Sequence, residues 1–235
     1  MKKLILGLVA IVAVLAAAPL ASSSSITLGN ANFNTLPGSS LNEGTCGIAP
    51  GCYSDSGMGG YTSTTAIPDW TVTAGASSGS YPGGEFQPTL PPASGSVFSY
   101  LPDGAGDVIG WTQSGTISQT ATGTAAAGEY LTLSVMVGER TDQPAATDAV
   151  ILEIGTQMYD ATPVTLVDGG WVDWTVSAEN TSGSDQSVEV WLENDAGGQG
   201  LFDDVTLTAP EGGTTLVLLG LAVAGLAGLR RKLGV

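Results

Sequence analysis

Apolar and polar residues alternate along much of the middle of this chain. In Tyr130-Leu131-Thr132-Leu133-Ser134-Val135-Met136-Val137 the alternation puts Leu131, Leu133, Val135 and Val137 on one face. Trp171-Val172-Asp173-Trp174-Thr175-Val176 and Ser187-Val188-Glu189-Val190-Trp191-Leu192-Glu193 alternate in the same way. A period of two is the mark of a strand with one face buried and one in water, and therefore of an antiparallel sheet. Ala149 to Ile154 and Phe202 to Leu207 predict two more strands, and Val97 to Tyr100, Val108 to Trp111 and Thr116 to Thr120 predict others. Pro102-Asp103-Gly104, Asp168-Gly169-Gly170 and Ala196-Gly197-Gly198 punctuate the series as turns. No long segment has the 3.6-residue period of a helix. Many short strands bury their apolar faces best as two packed sheets, so the expected fold is all-β, a jelly-roll β-sandwich.

The two ends have a different texture. Met1-Lys2-Lys3, the apolar run Leu4 to Ala18 and the small residues Ala21 to Ser25 read as a secretory signal peptide. At the other end, Pro210-Glu211-Gly212-Gly213 precedes an uncharged run from Thr214 to Leu229 and the basic cluster Arg230-Arg231-Lys232. Charge after an apolar helix resists passage through a bilayer. As a helix the run reaches about 24 Å, short of the roughly 30 Å hydrocarbon core, which suits a weak or transient transmembrane-type anchor. The expected organisation is a signal peptide over 1–25, a β-sandwich domain over 26–209 and a sorting or anchor segment over 210–235. Within the domain, 36–96 is rich in Gly, Ser, Thr and Pro and is expected to be loop-rich.

Setting the ends aside changes the charge. Lys2, Lys3, Arg230, Arg231 and Lys232 leave with them, so Arg140 is the one basic side chain of the domain, against every acidic residue except Glu211. Such a body is repelled by nucleic acid and by anionic lipid. Solubility in a salty habitat and binding of divalent cations are both open readings of the acidity. The chain has no histidine. That removes Ser-His-Asp and Cys-His catalysis and imidazole ligands for zinc. Cys46 and Cys52, six positions apart in an exported chain, are expected to form a local disulfide.

Enzyme chemistry is left to carboxylates, since a glycosidase needs only an acid and a second carboxylate. Sugar binding needs an aromatic face and a few polar groups. The strand phases put Trp171 with Asp173, and Trp191 with Glu189 and Glu193, on polar faces, so these five residues are candidates for a glycan platform; packing of either tryptophan under a loop is the competing reading. Arg140, in Gly138-Glu139-Arg140-Thr141-Asp142, either fixes a loop through a carboxylate or contacts ligand.

Two resemblances add expectations. The tail, through Pro210, Glu211, Arg230, Arg231 and Lys232, resembles the PEP-CTERM sorting signal in a divergent form, with Gly212 where that signal has its second proline. The resemblance implies recognition and cleavage by an exosortase-type membrane enzyme, a membrane-associated stage through the C-terminal segment, and a place on the cell envelope, surface or extracellular matrix of a Gram-negative bacterium. An ordinary single-pass anchor is the alternative. The domain, through Asn30-Ala31-Asn32-Phe33-Asn34, Ile67-Pro68-Asp69-Trp70, Ile117-Ser118-Gln119-Thr120, Leu133 to Arg140 and Leu201-Phe202-Asp203-Asp204-Val205-Thr206-Leu207, resembles secreted sandwiches related to carbohydrate-binding modules and galactose-binding-like domains. That implies pairing of first and last strands, polysaccharide as a partner, and a structural calcium at Asn34, Asp203 and Asp204. Calcium-dependent cyclases of cyanobacterial indole alkaloids share only the general strand motifs, and no catalytic residue carries over. The leading expectation is a non-catalytic, exported binding or matrix protein; the alternative is a carboxylate-dependent glycosidase or cyclase-like enzyme on the same scaffold.

Overall fold

The structure is a computed structural model, and it describes residues 25–35, 52–55, 59–62, 67–75, 82–89 and 96–209. The expected signal peptide, the expected transmembrane-type segment of the tail and the expected Cys46–Cys52 disulfide fall wholly or partly outside the described residues. Ser24–Ala209 forms one compact unit.

Twelve strands are described: β1 Cys52–Asp55, β2 Gly59–Thr62, β3 Thr71–Ala74, β4 Gly83–Pro88, β5 Ile109–Thr112, β6 Gly115–Thr120, β7 Tyr130–Gly138, β8 Thr147–Ile154, β9 Gln157–Asp160, β10 Trp171–Glu179, β11 Val188–Ala196 and β12 Gly200–Thr208. They form a seven-stranded sheet in the order β1-β2-β4-β5-β12-β7-β10 and a five-stranded sheet in the order β3-β6-β11-β8-β9, with every pairing antiparallel. The all-β, two-sheet sandwich read from the alternation is what the chain builds.

The core between the sheets is made by the positions that the alternation marked. Leu131, Leu133, Val135 and Val137 of β7 meet Trp174 and Val176 of β10, Val188, Val190 and Leu192 of β11, and Val150, Leu152 and Ile154 of β8. Phe33 and Trp70 close one end, with ring centroids 5.2 Å apart. Each buried aliphatic or aromatic side chain stabilises the fold by about 2 kcal/mol relative to exposure, so the sandwich rests chiefly on this layer.

A second apolar cluster lies on the outer side of the seven-stranded sheet. Trp111, Leu201, Gly138 and Trp171 follow one another across β5, β12, β7 and β10. A Cβ on Gly138 would come within 2.8 Å of the Trp171 ring, so the glycine is what lets the indole lie flat on the sheet. The segment Ser96–Leu101 covers this face with Val97, Phe98 and Leu101. Val97 to Tyr100, expected as a strand, is therefore an irregular strap: it packs by inserting side chains, and its Ser99 N–H donates to Gly169 O at 2.8 Å outside either sheet.

The 36–96 stretch, expected to be loop-rich, carries β1 to β4, three of them in the large sheet. One further expectation changes. The chain before Phe33 is not a strand paired along the last one. Thr27 makes an isolated bridge to Thr122, and the last strand meets the N-terminal segment through Val205 N–H donating to Ala31 O at 2.9 Å.

Candidate functional site

The outward face of the five-stranded sheet carries the first candidate. Across one row stand Thr71, Ser118, Trp191, Ile151 and Asp160, contributed by β3, β6, β11, β8 and β9. The rows on either side hold Thr120, Glu189 and Glu153, and Thr116, Glu193 and Ala149. Period-two alternation makes this face, because Val188, Val190 and Leu192 turn into the core while Glu189, Trp191 and Glu193 turn away from it. Trp191 is half-buried, its Nε1–H donating to Glu153 Oε2 at 3.0 Å, so one ring orientation is held by a carboxylate from the next strand. Ile151, in the same outward row, is almost fully covered although it belongs to neither apolar cluster. Burial pushes the Glu193 carboxyl up, and the charges of Asp195 and Asp160 add to that. The arrangement is an aromatic plate on a sheet face, ringed by carboxylates and hydroxyls.

The other sequence-proposed platform is built differently. Trp171 is only 6% exposed, stacks on Phe98 with ring centroids 5.2 Å apart, and donates from Nε1 to Tyr100 O at 3.2 Å. It packs under the strap and offers no face to a sugar. Asp173, two residues on, is exposed on the same side of the sheet and accepts a hydrogen bond from the Ser134 hydroxyl.

Arg140 is 9% exposed. Its Nε and Nη2 donate to the two oxygens of Asp142 at 2.8 Å each, its Nη1 donates to Gln199 Oε1 at 2.8 Å, and its guanidinium lies 5.3 Å from the centre of the Phe86 ring. The fork-shaped hydrogen bonds hold the Asp142 carboxyl below its ordinary range. These contacts tie the end of β7 to the loop before β12.

The second candidate is an acidic corner beside the register shift in the middle of β12. Asn34 Oδ1 accepts from Val108 N–H at 3.1 Å while its Nδ2 donates to Asp103 Oδ2 at 3.3 Å. Asp107 accepts from the N–H groups of Asp103 and Val108 at 3.1 and 2.9 Å. Asp203 sits in the same row as Met136 and Asp173, on the outer side of the large sheet, and is fully buried. Its Oδ1 accepts from Asp204 N–H at 2.8 Å, while Oδ2 meets no donor. Burial, and after it the charge of neighbouring Asp107, pushes Asp203 up to about 9. Asp107 and Asp204 are also raised, in each case chiefly by burial. The structure thus brings Asn34, Asp203 and Asp204 into one neighbourhood and adds Asp103 and Asp107, which the sequence did not single out. Among the described residues no three acidic side chains converge closely enough to hold a metal ion in the present arrangement.

Two further buried carboxyls were also missed. Glu85 of β4 lies in the row Glu85, Gly110, Phe202, Val137, facing the core, and burial pushes it up to about 8. Asp148 of β8 is pushed up to about 7 by burial, against a hydrogen bond from Asn194 Nδ2 at 3.0 Å. Nothing in the local sequence distinguishes these positions from solvated acids. Their burial is decided by strands far away in the chain.

Comparison with known proteins comes out in three parts. A family model described as HpiC1-like: HpiC1 cyclase matches residues 25–208. The model described as the VPDSG-CTERM motif matches residues 210–233, so the tail is a PEP-CTERM-like sorting tail under a different motif name from the one that Pro210-Glu211 suggested. No curated protein matches the chain. Similar solved structures include the CBM22-1–GH10 modules of xylanase 10B from Clostridium thermocellum, complexed with xylohexaose (15% identity, TM-score 0.38, covering 46% of this chain and 22% of that one). Others are a CBM4 module (13% identity, TM-score 0.38, covering 78% and 99%) and TmCBM61 in complex with β-1,4-galactotriose (14% identity, TM-score 0.35, covering 60% and 88%). Likeness at this level identifies no function.

Proposed function

This chain belongs to the HpiC1-like family, and on that premise we propose that it is an exported, surface-sorted member that binds polysaccharide through the outward face of the five-stranded sheet. The observation that carries the reading is Trp191, half-buried on a face where β6, β8 and β11 present hydroxyls and carboxylates. A pyranose ring stacks on such an indole through its C–H face, while nearby Glu and Thr side chains fix the ring hydroxyls. Sorting is supported by the match of the tail to a CTERM motif; on this reading a membrane-bound sorting enzyme of the exosortase type processes the tail and the product acts on the cell surface or outside the cell. The testing experiment is a glycan array with the purified chain, repeated with Trp191→Ala: binding that depends on Trp191 is expected, and an array that stays blank would sink the proposal.

A second reading rests on Asp203. Fully buried beside Asp107, with an oxygen that no donor reaches, it needs either a proton or a cation. With a proton it is a neutral acid next to the apolar cluster of Phe86, Ile109 and Met136, the kind of group a cyclase-like enzyme uses to protonate a substrate. With a cation, Asp203 and Asp204 supply carboxylate oxygens to the structural calcium, and Asn34 an amide oxygen once its side chain turns from Val108. Calcium titration separates the two, since only the second gives a calcium-dependent rise in thermal stability.

A further inference from the structure

On the reading that the Trp191 face takes a polysaccharide, we propose that the preferred ligand is an amino-sugar polymer whose free amines are protonated. Acids crowd the indole: Glu189 and Glu193 flank Trp191 on its own strand, Glu153 accepts its Nε1–H from the neighbouring row of β8, and Asp160 closes the row on β9. Glu189 and Glu193 each lie two residues from Trp191, about 7 Å along the strand, so a ring seated on the indole has a carboxylate at both ends. The Glu153 carboxylate is fixed by the indole Nε1–H at 3.0 Å, with its remaining lone pairs at the rim of the same plate.

Among the described residues no basic side chain balances these acids. The single one of the domain, Arg140, is held by Asp142 and Gln199 over the Phe86 ring of the other sheet. A uronate, sulfate or phosphate polymer is repelled by such a field. A neutral glycan stacks on Trp191 and leaves the carboxylates with only hydroxyls to bind. A protonated hexosamine stacks and also gives charge-assisted hydrogen bonds to the flanking glutamates, with a cation–π contribution from the indole. It further relieves the repulsion from Asp195 and Asp160 that adds to the effect of burial on the Glu193 carboxyl. Charge complementarity therefore selects the amine form.

The experiment is calorimetric titration of the full-length chain in mild detergent with hexamers of glucosamine, N-acetylglucosamine and glucose, and with an oligouronate, at pH 6. The glucosamine hexamer is expected to bind about tenfold more tightly than the acetylated one, the oligouronate not at all, and Trp191→Ala to abolish the signal. The variant E189Q/E193Q is expected to make the amine and acetylated forms bind equally. Neutral hexamers binding as tightly as the amine form, with dependence on Trp191, would overturn the amine assignment and leave the polysaccharide-binding face standing. Glucosamine binding that persists in Trp191→Ala would mean general attraction of a polycation to an anionic chain, and would also overturn it. Absence of any Trp191-dependent binding would remove both.

Discussion

Replacing Asp203 by Asn is expected to change how stability depends on pH far more than it changes the fold. Asp203 has a folded-state pKa of about 9 against an ordinary value of 3.8, chiefly because it is buried and then because Asp107 is near. Between those two values the folded chain holds a proton that the unfolded chain has released. Stability is therefore fullest below about pH 4 and falls as pH rises, by about 1.4 kcal/mol per pH unit for one such group, until the folded carboxyl itself ionises. From pH 5.5 to 7 the expected loss is about 2 kcal/mol for this side chain alone. Asn copies the protonated acid: Oδ1 still accepts from Asp204 N–H, and the amide can donate where the proton did. In urea unfolding followed by tryptophan fluorescence with EDTA present, D203N should gain roughly 4 kcal/mol on the parent between pH 5 and pH 8, an upper figure if the buried site relaxes. Equal destabilisation of the variant at both pH values, or a parent whose stability rises over this range, would refute the reasoning.

Other outcomes follow from the same geometry. Arg140→Lys loses the paired hydrogen bonds to Asp142 and should cost about 1 to 2 kcal/mol, with the Asp142 carboxyl moving back toward its ordinary range in an NMR titration. Trp171→Ala empties the space between Phe98 and Gly138 and should destabilise by about 3 to 5 kcal/mol in the same urea assay. Calcium added to EDTA-treated protein should raise Tm if the corner of Asn34, Asp203 and Asp204 takes the ion, and D203N should not respond; a Tm unmoved by millimolar calcium would remove the ion from the account.

The strands that were legible are those with one face wholly buried. In β7, β10 and β11 the core demands an apolar residue at every second position, and the alternation survives in the sequence. β4 was hidden because its Gly83, Gly84 and Glu85 answer to other demands: a Cβ on Gly83 would come within 2.6 Å of Trp111 O, and Glu85 points into the core. β9, Gln157–Asp160, is a polar edge strand with little burial to mark it. The strap Ser96–Leu101 carries strand-like residues because it too buries apolar side chains, without joining a ladder.

The same logic sorts the sites. Phase alone put Glu189, Trp191 and Glu193 together on the outward face, since strand geometry fixes it. Phase also put Trp171 on the outer side of its sheet, but only tertiary structure shows that the strap covers it. Asp103 joins Asn34 across 69 residues of sequence through a side-chain hydrogen bond, and Asp107 is a charged neighbour of Asp203 from a distant part of the chain, contacts that no local pattern records.

Glycan-array binding of the chain with Trp191 intact, set beside that of a folded Trp191→Ala variant, tests the proposed function most directly. The account predicts a Trp191-dependent signal on at least one polysaccharide, lost by tenfold or more in the variant, with far-UV circular dichroism unchanged. Equal signals from the two proteins, or no signal from either, would contradict it.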